Sequence, residues 1–157
     1  RRNGLEAQLV FELFDYLITT LAYTYSDFEF DKFIDDNGND FSGNVIPGIP
    51  ENLFSADFSY THPNGIYSQF TALFVDEIYA NNANTVTNDS YTVADLRIGY
   101  TKFFGPWELS PFIGVNNLFD EQYNGNVRIN AFGGRYFEPA PDRDIYAGLT
   151  LRYDFGS

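Results

Sequence analysis

The sequence predicts an all-β chain, an antiparallel transmembrane β-barrel sector of about seven strands belonging to a larger barrel. Three observations predict it. First, the stretch Asp144 to Phe155, DIYAGLTLRYDF, alternates with period two. Ile145, Ala147, Leu149, Leu151, Tyr153 and Phe155 fall on one face, and Tyr146, Gly148, Thr150, Arg152 and Asp154 on the other. At this length it suits a strand that crosses a bilayer in roughly 9–11 residues better than the ~5–6-residue strands of soluble sandwiches. Second, the connections between such segments alternate between short turns and long polar loops. Third, aromatic residues make up 19% of the chain, with 12 Tyr and 17 Phe against one Trp. That enrichment fits strands and interfacial belts.

Composition narrows the function. The 157 residues suffice for one unit, 1–157, and the net charge of −13 argues against a nucleic-acid partner, which attracts basic surfaces. The absence of cysteine excludes a disulfide framework and a thiolate metal site. No apolar run approaches the ~18 residues of a membrane helix, but a barrel escapes that test because half of each strand is polar. The chain also lacks methionine, so residues are expected upstream of Arg1.

Taken in order, the first strand is Gly4 to Leu13, with Leu5, Ala7, Leu9, Phe11 and Leu13 opposite Glu6, Gln8, Val10 and Glu12. A turn at Phe14-Asp15-Tyr16 leads to the second, Leu17 to Phe28, with Leu21, Tyr23 and Tyr25 on its apolar face. A polar loop from Glu29 to Glu51 precedes the third, Asn52 to Tyr60, where Phe54, Ala56, Phe58 and Tyr60 alternate with Ser55, Asp57 and Ser59. Asn64-Gly65 is a hairpin signal. The fourth strand, Ile66 to Val75, has the weakest alternation, with Tyr67, Leu73 and Val75 sharing a face with Gln69 and Thr71. An Asn-rich loop, Asp76 to Asp89, leads to the fifth, Ser90 to Phe103. Phe104-Gly105-Pro106 turns the chain into the sixth, Trp107 to Leu118, where Pro111 cannot donate to the ladder and should weaken pairing locally. A third loop, Phe119 to Arg143, precedes the final strand.

Short turns follow strands one, three and five, and long loops follow strands two, four and six. Outer-membrane barrels have short periplasmic turns and long extracellular loops. The C-terminus therefore belongs on the periplasmic side and strand one starts outside. Single-chain bacterial barrels have even strand numbers, so seven strands make part of a larger barrel. The alternative is a complete eight-stranded barrel with one strand unread, in a structural or adhesion role. Trp107, Phe103, Phe104, Phe14, Tyr16 and Tyr153 fall near the periplasmic ends, where an aromatic girdle belongs.

Several segments resemble the C-terminal part of TonB-dependent outer-membrane receptors. Arg1-Arg2-Asn3-Gly4-Leu5-Glu6 resembles a strand opening of that family, and Ala22-Tyr23-Thr24-Tyr25-Ser26-Asp27 its A-x-Y-T-Y-x-D strand. Ile46-Pro47-Gly48-Ile49-Pro50 is similar to its [IV]-P-x-x-P step. Asn116-Asn117-Leu118-Phe119-Asp120-Glu121-Gln122-Tyr123 is similar to N-N-L-F-D-x-x-Y. Arg135-Tyr136-Phe137-Glu138-Pro139-Ala140-Pro141-Asp142-Arg143 resembles the segment leading into the last strand. The motifs run in family order over nearly the whole chain. The departure is at the end, where Gly156-Ser157 follow the aromatic on which the family usually stops.

The resemblance implies a barrel of about 22 strands in the bacterial outer membrane, importing a scarce nutrient such as a ferric siderophore. It implies as partners the lipid bilayer, the plug and other strands of the same receptor, the barrel assembly machinery and a small ferric chelate. It also implies the TonB-ExbB-ExbD system, reached through an N-terminal segment not among these residues. Phe155 would be the barrel-closing terminal aromatic.

Candidate sites are few. Arg128, Phe132, Arg135 and Tyr136 in the third loop would suit an anionic iron chelate. Asp95 with Arg97, and Arg152 with Asp154, are lumen-facing charges expected to pair with each other or with a plug. The acidic run Asp31, Asp35, Asp36 and Asp40 lacks the spacing of a calcium loop and reads as a solvated loop. His62 is the sole histidine, so no zinc set or Ser/His/Asp arrangement is assembled. The chain is read as non-enzymatic, with no metal and no cofactor.

Overall fold

The computed structural model describes residues 1–155. Seven long antiparallel strands pair in chain order: β1 (Arg2–Phe14), β2 (Leu17–Phe28), β3 (Asn52–Thr61), β4 (Ile66–Val75), β5 (Tyr91–Tyr100), β6 (Trp107–Asn116) and β7 (Asp144–Tyr153). The sheet is open. Among the described residues β1 pairs only with β2, and β7 only with β6.

Register carries the alternation from strand to strand. Leu9 faces Leu21, Leu21 faces Ala56, Ala56 faces Ala72 and Ala72 faces Ala94. Further along, Ile98 faces Ile113 and Ile113 faces Ala147. Directly opposed residues share a face of the sheet, so one continuous apolar face spans all seven strands. Its rings pack laterally, with Phe58 and Phe70 6.0 Å apart. The other face holds Asp57, Thr71 and Asp95 in one row, and Ser59, Gln69 and Arg97 in the next. The weak alternation of β4 now has an origin. Its polar-face positions include Tyr67, Leu73 and Val75, while Phe70, Ala72 and Phe74 join the apolar face.

A single sheet has no second layer to cover its apolar side. Leu9, Ile113 and Leu149 are 64%, 53% and 64% exposed on that face. A contiguous apolar surface of this kind requires lipid. Ten-residue strands rise about 33 Å, which spans an apolar band of ~25 Å at the tilt of such walls.

On the polar face, large rings lie over cross-strand glycines. Gly99 faces Tyr67, Gly114 faces Tyr146 and Gly148 faces Phe112. A Cβ at any of the three would overlap the ring above it. Here glycine provides room for aromatic covers that span the ladder.

Several boundaries differ from those read in the sequence. The fifth strand is not continuous to Phe103. β5 stops at Tyr100, and Lys102–Phe104 resumes the pairing with β6 in the same register. The gap lies opposite Ser110 and Pro111, where the missing proline N–H weakens the ladder as expected. Thr101 instead donates its N–H to the Gly65 carbonyl at 2.8 Å, and its hydroxyl lies 2.7 Å from that of Ser110. The last strand ends at Tyr153, so Phe155 lies beyond it, 89% exposed and edge-on to Tyr153 at 4.8 Å. Gly156-Ser157 lie outside the described residues.

β6 ends at Asn116, two residues short of the expected Leu118, because Asn117 takes a left-handed backbone (φ 51°) and ties the chain back. Its side chain accepts from the Glu121 N–H and donates to the Glu121 carbonyl, both at 2.8 Å. Its own N–H donates to Asp95 at 2.8 Å, and the residue is buried. Asn116 meanwhile donates to both oxygens of Asp144 on β7. The Asn-Asn-Leu-Phe-Asp run is thus a clamp that turns a strand into a loop. Asn117→Ala should lower stability by about 1 kcal/mol, because it removes the two part-buried bonds to the Glu121 backbone. Thermal or urea unfolding of the full-length protein, followed by heat-modifiable gel shift, would register the loss.

Candidate functional site

The long loops gather at one end of the sheet and the short turns at the other. Each long loop carries its own local structure. Glu29 and Val45 form a bridge in the first, Ile78–Tyr79 pairs with Thr87–Asn88 in the second, and Asn124–Val127 pairs with Phe137–Pro139 in the third. A single 3-10 turn, Phe132–Gly134, is the one helical element among the described residues.

Asparagine side chains lock the three loops together. Asn84 accepts from the Val45 N–H at 2.8 Å and donates to the Val45 carbonyl at 2.9 Å, a reciprocal pair between first and second loops. Asn44 donates to the Asn82 carbonyl at 2.8 Å. Asn130 of the third loop accepts from the Asn82 N–H and donates to its side-chain oxygen. Asn124 donates to Asn88 at 2.7 Å. An amide suits this work because it offers donor and acceptor together and can mimic a strand partner. Backbone bonds add to it, with Gly48 donating to Tyr79 and Asn130 to Ala80.

Between the loops lies an open cleft of about 430 Å³. Its walls include Asp35 and Phe41 of the first loop, Asn81 and Asn82 of the second, and Asn130 and Tyr136 of the third. Asp35 is held in place by its own turn, accepting from the Asn37 and Asn39 N–H groups and from the Asn39 side chain at 2.8–3.0 Å. Hydrogen bonds from the Asn39 side chain and backbone, with Asn37 adding to them, hold its carboxyl below the usual range. The turn is therefore fully stabilised above the ordinary carboxylate value and loses that contribution as pH falls through the lowered one. Amide exchange at Asn37 and Asn39, corrected for intrinsic rates, should accelerate only in that acidic window.

Of the four loop residues read as ligand contacts, the structure brings Tyr136 to the cleft wall. Arg128 forms an ion pair with Glu138, which also accepts from Asn126 at 3.0 Å. Phe132 stands 99% exposed on the 3-10 turn, and Arg135 follows that turn. Sequence reasoning missed Phe41, Asn81, Asn82 and Asn130. The Asn81-Asn82-Ala83-Asn84 run was the available signal, but nothing in it specified partners some 40 residues away.

Asp95, Arg97 and Arg152 lie on the polar face, and Asp95 and Arg97 do not form an ion pair with each other. Asp95 accepts from the Asn117 backbone, while the Arg97 guanidinium stacks on Phe112 at 3.9 Å from the ring centre. The Arg97 Nε is buried without a hydrogen-bond partner. Both residues line a recess of about 170 Å³ with Gln69, Thr71, Asn116 and Tyr146. Arg152 bonds Glu108 across the strands at 2.9 Å, and the Asp154 N–H donates to the Pro106 carbonyl. At the short-turn end, Trp107 packs edge-on to Tyr153 at 4.8 Å, and His62 sits between Tyr16 and Tyr60. His62 accepts from the Asn64 N–H, which marks it as a turn residue.

A one-sheet wall with a lipid-type face, a polar face and interlocked loops at one end defines a sector of a membrane β-barrel with a water-facing interior. The chain belongs to the TonB-dependent receptor family: residues 1–118 match its domain described as "TonB dependent receptor-like, beta-barrel". The members of that family are outer-membrane proteins of Gram-negative bacteria and are receptors rather than enzymes.

The chain is 30% identical over 126 residues to the ferrioxamine B receptor of Salmonella typhimurium, covering 77% of this chain and 17% of that protein. It is 29% identical over 158 residues to the ferrioxamine receptor of Yersinia enterocolitica, covering 98% of this chain and 21% of that one. The fold matches the siderophore receptor PiuA of Acinetobacter baumannii (TM-score 0.75, 24% identity), over 96% of this chain and 22% of that one. It also matches BauA of the same organism, the ferric preacinetobactin receptor (TM-score 0.78, 18% identity), over 98% and 22%. The chain thus spans about a fifth of the length of these relatives.

Proposed function

We propose that residues 1–157 are the closing sector of an outer-membrane active-transport receptor for a ferric siderophore, energised through TonB. The observation that carries the reading is the division of labour within the wall. One face is continuous and apolar, the other polar and studded with charges, and three loops lock into a cleft-bearing block at a single end. The ferrioxamine receptors among the relatives support a ferric chelate as cargo. The remaining strands and a plug would come from the rest of the receptor, with β7 pairing to the first strand of a barrel of about 22.

The test is uptake. A strain lacking the full-length receptor should lose radioiron import from a ferric trihydroxamate, and the wild-type gene should restore it only when TonB is present. Restoration without TonB would contradict the energised reading. Import unaffected by the deletion would contradict the cargo.

A further inference from the structure

We infer that the cleft formed by the three long loops selects cargo that presents a positive charge, and disfavours anionic chelates. The inference rests on the transport reading above and deepens it.

Its basis is what lines and surrounds the cleft. Among the described residues none of the lining side chains is cationic, and one, Asp35, is a carboxylate. Phe41 and Tyr136 add aromatic rings to the lining, and the amides of Asn81, Asn82 and Asn130 supply neutral donors and acceptors. Carboxylate, aromatic faces and amide oxygens together recognise an ammonium or another compact cation.

The surroundings reinforce that sign. The first loop carries Glu29, Asp31, Asp35, Asp36, Asp40 and Glu51 against Lys32. The second carries Asp76, Glu77 and Asp89 with no basic residue at all. Three of the cations at this end are engaged in ion pairs: Arg128 with Glu138, Arg143 with Asp120 at 3.7 Å, and Arg1 with Asp27 and Glu29 at 3.3 and 3.0 Å. A mouth lined by one sign of charge concentrates the opposite sign in its ligand and repels the same sign. The arginines of the third loop, which by sequence suggested an anionic chelate, lie outside the cleft lining.

The experiment uses the full-length receptor in detergent and two probes that share one iron centre. The first is a linear ferric trihydroxamate ending in a free ammonium. The second is the same chelate with that amine succinylated, which ends it in a carboxylate. The ammonium form should bind about tenfold tighter or more at low salt, with the margin shrinking as salt is raised through the screening range. Asp35→Asn, which keeps the acceptor for the Asn37 and Asn39 N–H groups, should narrow the margin severalfold without abolishing binding. Equal or tighter binding of the succinylated chelate, or a preference indifferent to salt, would overturn the inference while leaving the transport reading intact. Binding of neither probe would overturn both.

Discussion

Residues 1–157 expressed alone should fail to refold in detergent into a monomeric, heat-modifiable, protease-resistant barrel. The reason is the two edges. β1 runs for 13 residues and β7 for 10, and each is hydrogen-bonded on one side only. Alternate residues of each strand send their N–H and C=O groups toward the unpaired side. In hydrocarbon each unsatisfied group costs several kcal/mol. Even a handful exceeds the ~5–15 kcal/mol by which folded proteins are stable. Coexpression with the remaining strands of the receptor should restore a barrel by complementation. A stable monomer from the isolated chain would mean that β1 and β7 close on each other, as in a complete small barrel.

Leu149→Arg should cost about 2–4 kcal/mol of barrel stability, and Thr150→Arg far less. Leu149 lies on the apolar face opposite Pro111, with Leu151 and Leu109 as the next pair, well inside the strand. A guanidinium there would enter lipid near the midplane. Thr150, opposite Ser110, projects from the polar face where water or protein can solvate a charge. The pair controls for chain position and for the arginine itself. Unfolding of full-length variants, read by heat-modifiable gel shift, should separate them clearly. Equal losses would contradict the assignment of faces.

Much of this was legible in the sequence, for a physical reason. A period of two fixes which side chains share a face, and a one-residue slip would move every apolar group to the wrong side. The stretches from Leu5 to Phe11 and from Ile145 to Tyr153 therefore declared both their strands and their faces. What stayed hidden was chemistry between strands. Directly opposed side chains stand ~4.5–5.5 Å apart, closer than i, i+2 neighbours on one strand at some 6–7 Å. Glu108, opposite Arg152 on β6, is thus the closer partner, and its place follows from register alone. Likewise the break at Thr101 is set by a proline on the neighbouring strand. The loop cleft was the least legible part. Its lock depends on pairs such as Asn44 with Asn82 and Asn82 with Asn130, separated by 38 and 48 residues. No local periodicity encodes such contacts.

The central claim is that β7 stands in a membrane with one face to lipid and the other to an aqueous interior. It is tested most directly by placing single spin labels at each position from 145 to 153 in the full-length receptor and measuring their collision rates with oxygen and with a water-soluble nickel complex. The account predicts a strict alternation, with Ile145, Ala147, Leu149, Leu151 and Tyr153 favouring oxygen and Tyr146, Gly148, Thr150 and Arg152 favouring the nickel complex. A flat profile, or one with a helical period, would contradict it.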